Sequence, residues 1–258
     1  MVSSERGQRA YNPYIFFDLG NTLLYYQGDR IAVELEAYHA LLNSLKNNGI
    51  KLPSKIFLKR FQKAMQQYYK RRESTLVEET TLTQLQSVLC SFGYDHIPQL
   101  VLRKALDRMY FITEGQWQLD PETIPCLNWL SAHGFRLGLI SNASDATNVF
   151  RLLHLHNLYG YFSTIIISGI VGYRKPHTKV FEAALNGCGN LPREHIYMVG
   201  DLFSTDILGG YNVGLRTVWL SKHAEKTTEQ EKNTDVKADL IFSGLELLRS
   251  WMEEHYTN

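Results

Sequence analysis

The chain is poor in cysteine, in long apolar runs and in excess charge of either sign. Its three cysteines, Cys90, Cys126 and Cys188, show no CxxC spacing, and any pairing leaves one over. Each has apolar neighbours, where a cysteine is expected to be a small buried hydrophobe, as suits a reducing cytosol. No apolar stretch approaches the length that spans a bilayer, so no transmembrane segment is expected. The polar start Met1-Val2-Ser3-Ser4-Glu5-Arg6 lacks the apolar heart of a secretory signal, so a soluble, cytoplasmic protein is expected. A net charge of +1 gives no global case for nucleic acid or a membrane surface. There is no internal repeat and no low-complexity segment.

What the chain does have is an ordinary globular balance, 44% hydrophobic and 21% charged over 258 residues, enough for one large domain or two modest ones. Its charge is locally uneven. The segment 51–72 carries Lys51, Lys55, Lys59, Arg60, Lys63, Lys70, Arg71 and Arg72 and no acid, and is read as a solvated helix face.

Two aspartates that finish apolar runs are the most informative feature. Tyr14-Ile15-Phe16-Phe17-Asp18 leads into Leu19-Gly20-Asn21-Thr22-Leu23, and Ile196-Tyr197-Met198-Val199-Gly200-Asp201 is followed by Asp206. Both runs are short, β-branched or aromatic and bounded by turn residues, so they read as buried parallel strands. Ligands in open α/β sheets sit at the carboxyl ends of such strands. Carboxylates gathered there repel one another unless a cation sits among them, and hard oxygen ligands suit Mg²⁺.

Between these runs the pattern changes. Ile31, Leu35, Tyr38, Leu42 and Leu45 step at helical spacing, with Gly49 as the stop. A second stripe, capped by Ser54, uses Phe57, Phe61, Ala64 and Tyr68. A third uses Leu82, Leu85, Val88, Leu89 and Phe92, and a fourth Val101, Leu102, Ala105, Leu106 and Met109. Four amphipathic helices in succession predict a small bundle. From Asp120 onward strands are expected at 135–140, 164–167, 196–199, 216–220 and 239–242. Helices are expected at 124–133, 145–154, 178–186, 206–212 and 245–255, with a surface loop at 223–237. That alternation predicts an α/β fold with a doubly wound parallel sheet, into which the bundle is inserted.

Two further strand-end stretches belong with the aspartates. Leu137-Gly138-Leu139-Ile140-Ser141-Asn142 delivers a hydroxyl towards a helix start, and Gly172-Tyr173-Arg174-Lys175-Pro176 presents a cation before the next helix. The ordered set Asp18-x-x-x-Thr22-Leu23, Ser141, Lys175-Pro176 and Gly200-Asp201 with Asp206 resembles the haloacid dehalogenase-like superfamily of hydrolases, in the subclass with a helical cap inserted just after the first strand. The resemblance covers nearly the whole chain. It implies a Rossmann-like catalytic core at 1–26 and 120–258 and a helical cap at 27–119.

By that resemblance the chain is a Mg²⁺-dependent phosphatase of a small phosphorylated metabolite, as a monomer or homodimer, with neither nucleic acid nor membrane as partner. Asp18 is the nucleophile and forms an aspartyl phosphate. Ser141, Asn142 and Lys175 bind the phosphoryl group, Thr22 positions the loop, and Asp18, the Gly20 carbonyl, Asp201 and Asp206 hold the metal. One position departs from the phosphatase pattern. Gly20 stands where such enzymes carry the aspartate that protonates the leaving oxygen, a function worth about 10²–10⁴ in rate. A 2-haloacid dehalogenase, a phosphonatase using a lysine among Lys46, Lys51, Lys55, Lys59 and Lys63, and a phosphate-binding regulatory protein are the alternatives. Restoring the acid by Gly20→Asp is expected to speed hydrolysis of esters with poor leaving groups.

Overall fold

The computed structural model describes residues 12–224 and 235–256, so most of the expected 223–237 loop lies outside the described residues. Six strands form one parallel sheet: β1 Tyr14–Phe17, β4 Arg136–Ser141, β5 Thr164–Ile167, β6 Ile196–Gly200, β7 Arg216–Leu220 and β8 Leu240–Phe242, in the order β5-β4-β1-β6-β7-β8. The central strand β1 pairs with β4 on one side and β6 on the other, Phe17 lying opposite both Leu139 and Val199. Chain order reverses between β1 and β6, so the carboxyl ends of β4, β1 and β6 meet at the switch point where ligands bind in such sheets.

All four β1 residues are buried because both faces of the sheet are covered. The two-residue period of a strand divides them. Ile15 and Phe17 join the core built with α5 Thr123–Ala132, α6 Ala146–Leu155 and α10 Leu245–Tyr256, while Tyr14 and Phe16 join the core built with α8 Thr178–Leu185.

The chain leaves this layer through β2 Leu24–Tyr26 and returns through β3 Trp117–Leu119, an antiparallel pair that the sequence reading did not foresee. Between them α1 Arg30–Asn47, α2 Ser54–Thr75, α3 Thr81–Cys90 and α4 Gln99–Glu114 pack around a separate core that includes Tyr38, Leu42, Phe57, Phe61, Leu85 and Leu106. Four expectations need correction here. Ile31 and Leu35 are exposed, because the buried face of α1 runs through Ala37, Tyr38, Leu41, Leu42 and Leu45. Ser54 does not cap α2; the cap position is Pro53, and the Ser54 hydroxyl accepts from Lys46 Nζ at 2.6 Å. Cys90, at the last turn of α3, is exposed, whereas Cys126 and Cys188 are buried. The segment expected as one helix from Asp206 opens with a π-helical turn, Phe203–Ile207, and α9 follows at Leu208–Asn212.

The helical unit touches the sheet layer by main chain as well as side chain. Glu78 N–H donates to Gly172 O at 3.0 Å and Arg174 N–H to Leu76 O at 3.0 Å. Among the described residues, no helix is long and apolar enough to cross a membrane.

Phe61 is fully buried in the helical core and Leu35 half exposed on the neighbouring helix. Phe61→Ala is expected to cost about 3–5 kcal/mol, while Leu35→Ala costs less than about 0.5 kcal/mol. Urea unfolding checks this, and similar midpoints for the two variants would contradict the packing described.

Candidate functional site

The strand ends place Asp18, Ser141 and Asp201 side by side, and the loop before α8 sends Lys175 into their midst. Lys175 Nζ lies 2.6 Å from Asp18 Oδ1, 2.7 Å from Asp206 Oδ1 and donates to Ile140 O at 2.7 Å. Asp18 and Ile140 accept hydrogen bonds from the ammonium, while Asp206 Oδ1 meets it as a close ion-pair contact without hydrogen-bond alignment. Lys175 is 1% exposed, a depth at which a lysine is kept charged only by partners of opposite sign. Burial pulls its pKa down, yet Asp18 and Asp206 more than offset that and leave it above the ordinary lysine value. Asn142 fixes the Lys175 backbone from both sides, accepting from its N–H at 2.7 Å and donating to its carbonyl at 3.1 Å. The Asn142 side chain is therefore engaged in holding the lysine, so a role for this residue at phosphate falls to its backbone N–H.

Asp206 reaches the centre because position 200 is glycine; a Cβ there would run into the Asp206 carboxylate. Its second oxygen accepts from Leu202 N–H at 3.1 Å. Asp201 is anchored through its carbonyl, which accepts from Trp219 Nε1 at 2.8 Å, and its Oδ1 accepts from Thr22 Oγ1 at 3.3 Å. Thr22 thus ties the turn after Asp18 to the end of β6. Asn21 makes that turn with a left-handed φ of 57°. Ser141, the last residue of β4, is buried and lines the cavity over Asp18. It precedes α6 by several residues; the cap of that helix is Asp145.

Oxygens of Asp18, Asp201 and Asp206 lie within 4.8 Å of one another; Asp201 Oδ2 and Asp206 Oδ1 are both buried without a hydrogen bond, and Asp206 Oδ1 has the Lys175 charge beside it. Three carboxylates face a single ammonium. Burial, opposed by Lys175 and reinforced by Asp206, raises the Asp18 pKa to about 6. Burial and then the neighbouring Asp18 and Asp206 raise Asp201 to about 8. The orphaned oxygen and the surplus negative charge fit a hard divalent cation, with Asp18 and Asp201 as its side-chain donors and Asp206, already paired to Lys175, further out.

The cavity above Asp18 has a volume of about 370 Å³. Besides the expected residues it is lined by Arg30, Arg72, Arg174 and Trp117, none of which the sequence reading placed at the site. Arg72 lay within the basic segment read as a solvated face. That reading describes Lys55, Lys59, Lys63 and Lys70, which are exposed, but Arg72 at the end of α2 turns inward. Trp117 bears on Gly20: a Cβ at position 20 would lie 3.0 Å from the indole. A side chain restored by Gly20→Asp would have to displace that ring, a constraint invisible from the motif.

The family model described as haloacid dehalogenase-like hydrolase matches residues 14–214, most of the chain. The chain belongs to that family. Among curated proteins, it is 38% identical over 109 residues to the pyrimidine 5′-nucleotidase YjjG of Escherichia coli, covering 42% of this chain and 48% of that one. It is 36% identical over 108 residues to the glyceraldehyde 3-phosphate phosphatase of Pyrococcus furiosus, covering 41% of this chain and 44% of the other. The chain thus spans about half the length of the curated relatives it matches. Among solved structures, a 2-haloacid dehalogenase from Pseudomonas syringae superposes with a TM-score of 0.65 at 20% identity, over 94% of this chain and 99% of that one. At that identity the likeness is one of fold.

Asp18 and Asp201 hold protons more tightly in the folded chain than in the unfolded one, where carboxyls of this type titrate near 3.8. Their favourable contribution is therefore complete below that value and drains away as pH rises through about 6 and then about 8. Metal-free protein is expected to lose thermal stability over that window, and Mg²⁺ to restore it most at the alkaline end. Asp201→Asn is expected to flatten the upper part of the profile and remove the Mg²⁺ response. Thermal melts at stepped pH check this; a flat wild-type profile with no Mg²⁺ effect would contradict it.

Proposed function

We propose that the chain is a Mg²⁺-dependent phosphomonoester hydrolase of the cytoplasm that acts on a small phosphorylated metabolite through an aspartyl-phosphate on Asp18. The observation that carries this reading is the buried cluster itself: three carboxylates within 4.8 Å around Lys175, with Asp201 Oδ2 unpartnered. The match to curated phosphatases and a nucleotidase supports it. A divalent cation held by Asp18, Asp201, Asp206 and the Gly20 carbonyl would neutralise charge between the attacking carboxylate and the phosphoryl oxygens.

Lys175 engages Asp18 Oδ1, which leaves Oδ2 as the oxygen that would attack phosphorus. Attack forms the Asp18–phosphorus bond and breaks the bond to the leaving oxygen, which departs with the electron pair. Ser141 lines the cavity, where its O–H would hold a transferring oxygen, and the Lys175 charge would offset that of the phosphoryl group. Water then attacks the same phosphorus, releasing phosphate and the free carboxylate. The carboxylates lining the cavity are Asp18 and Asp206, both paired to Lys175, and no histidine lines it among the described residues. The leaving oxygen must therefore depart without a dedicated acid, which favours acyl, anomeric or aryl phosphates.

The dehalogenase reading draws support from fold alone and leaves Asp201 and Asp206 without a role. The phosphonatase reading needs a cap lysine in the cavity, and the lysine lining it is Lys175.

Hydrolysis of p-nitrophenyl phosphate with Mg²⁺ tests the proposal. Asp18→Asn is expected to lower kcat by more than about 10³, and EDTA to abolish turnover in the wild type. Equal activity in the two proteins would point to another nucleophile, and none in either would favour a phosphate-binding protein. Rates are also expected to fall steeply with leaving-group basicity, alkyl phosphates trailing aryl ones by at least about 10²; equal rates would show that another group supplies the proton.

A further inference from the structure

The cavity over Asp18 has two chemically unlike halves. Its floor holds Asp18, Asp206, Lys175 and Ser141, a set already matched to one phosphoryl group. Arg72 from the end of α2, Arg174 from the loop before Lys175 and Arg30 from the first turn of α1 also line it, and among the described residues the carboxylates that line it are the two on the floor. Three guanidiniums are more than a single phosphoryl group requires once Lys175 is committed.

Arg72 and Arg174 are fixed in place by one acid. The Glu78 side chain is fully buried and lies 3.7 Å from Arg72 Nη1 and 4.0 Å from Arg174 Nε. Its oxygens also accept from the Tyr68 hydroxyl and, at 2.8 Å, from Ser168 Oγ. One buried carboxylate, partly spent on two hydroxyls, thus stands between two guanidiniums. The other acid in reach, Glu73, is 67% exposed, and water screens its hold on Arg174 at 3.1 Å and Arg72 at 3.5 Å. Arg72 Cζ lies over the Tyr69 ring, 4.5 Å from its centroid, a contact that restrains the side chain. Main-chain bonds from Glu78 N–H to Gly172 O and from Arg174 N–H to Leu76 O tie the α2 end to the Arg174 loop, so both cations keep their spacing. Arg174, largely buried and beside Arg72, is held below the ordinary guanidinium value by burial first and by that neighbouring cation second.

We infer that Arg72 and Arg174, anchored on Glu78, form an anion subsite for a second acidic group of the substrate, so that the phosphomonoesters preferred by this chain carry an additional carboxylate or phosphate. A planar guanidinium pair matches either group by bidentate hydrogen bonding. The inference rests on the phosphatase reading for its kinetics, but the subsite itself is a matter of binding.

Matched ligand pairs test it and separate the two acid types. 3-Phosphoglycerate and glycerol 3-phosphate differ by a carboxylate in place of a hydroxymethyl group; fructose 1,6-bisphosphate and fructose 1-phosphate differ by a phosphate. Calorimetric binding to Asp18→Asn protein with Mg²⁺, alongside steady-state kinetics of the wild type, is expected to favour the doubly acidic member of at least one pair by about tenfold or more. Arg72→Gln and Arg174→Gln should each shrink that ratio, acting on KM rather than kcat, while Arg72→Lys retains part of it. No preference in either pair, or a preference that survives both glutamine variants, would overturn the subsite. Absence of any turnover would count against the phosphatase reading alone, because the binding arm still decides the subsite.

Discussion

The arrangement depends on one buried ammonium among three buried carboxylates. Lys175 hydrogen-bonds Asp18 at 2.6 Å, offsets the charge of Asp206 at 2.7 Å and leaves Asp201 Oδ2 uncompensated. In water such a cluster would cost little; at 1–2% exposure for Lys175, Asp201 and Asp206 it is sustained only by strict placement. That placement explains several otherwise unrelated residues. Gly200 makes room for Asp206, Asn142 clamps the lysine backbone, Trp219 holds the Asp201 carbonyl, and Thr22 joins the turn after β1 to the end of β6. Loss of any one loosens an electrostatic balance rather than a single contact.

The sheet supplies the convergence. Because β1 lies between β4 and β6 and chain order reverses there, residues 18, 141 and 201 become neighbours although more than a hundred positions separate the first from the others. This much was legible in the sequence, since buried parallel strands announce themselves as short apolar runs and their carboxyl ends as the residues that follow. The four helical stripes were legible for the same reason. Periodicity does not say where along a helix the core begins, so Ile31 and Leu35, on the same stripe as the buried Tyr38, Leu42 and Leu45, are expected inside although the burial of α1 starts only at Ala37. Nor does it reveal short antiparallel pairs such as β2 and β3, three residues each, which carry too few positions for an alternation to register.

What the sequence withheld about the site came from the inserted helices. Arg72 carries the same charge as its neighbours in a basic run, and its inward position goes with the tertiary link between Glu78 and the Gly172 loop. Trp117 returns from the insertion in β3 and stands over Gly20, a partnership separated by nearly a hundred residues. The missing acid at position 20 and the indole above it are thus one structural fact. A Cβ at position 20 would press on that apolar ring at 3.0 Å, so the departure from the phosphatase pattern is matched by the packing around it.

Fold likeness alone does not choose between chemistries, since a dehalogenase superposes on this chain as a phosphatase would. Charge does. A substrate anion approaching Asp18 meets Asp201 and Asp206 as well, with Lys175 already shared, and a net surplus of negative charge at the attacking carboxylate repels it. A site built for an anion without metal would dispense with those two acids. Keeping both buried against their own desolvation makes physical sense when a divalent cation completes the set, and phosphoryl oxygens are the substrate atoms best suited to share it. The guanidiniums across the cavity extend the same logic outward, because they offset the charge of whatever second anion the substrate brings.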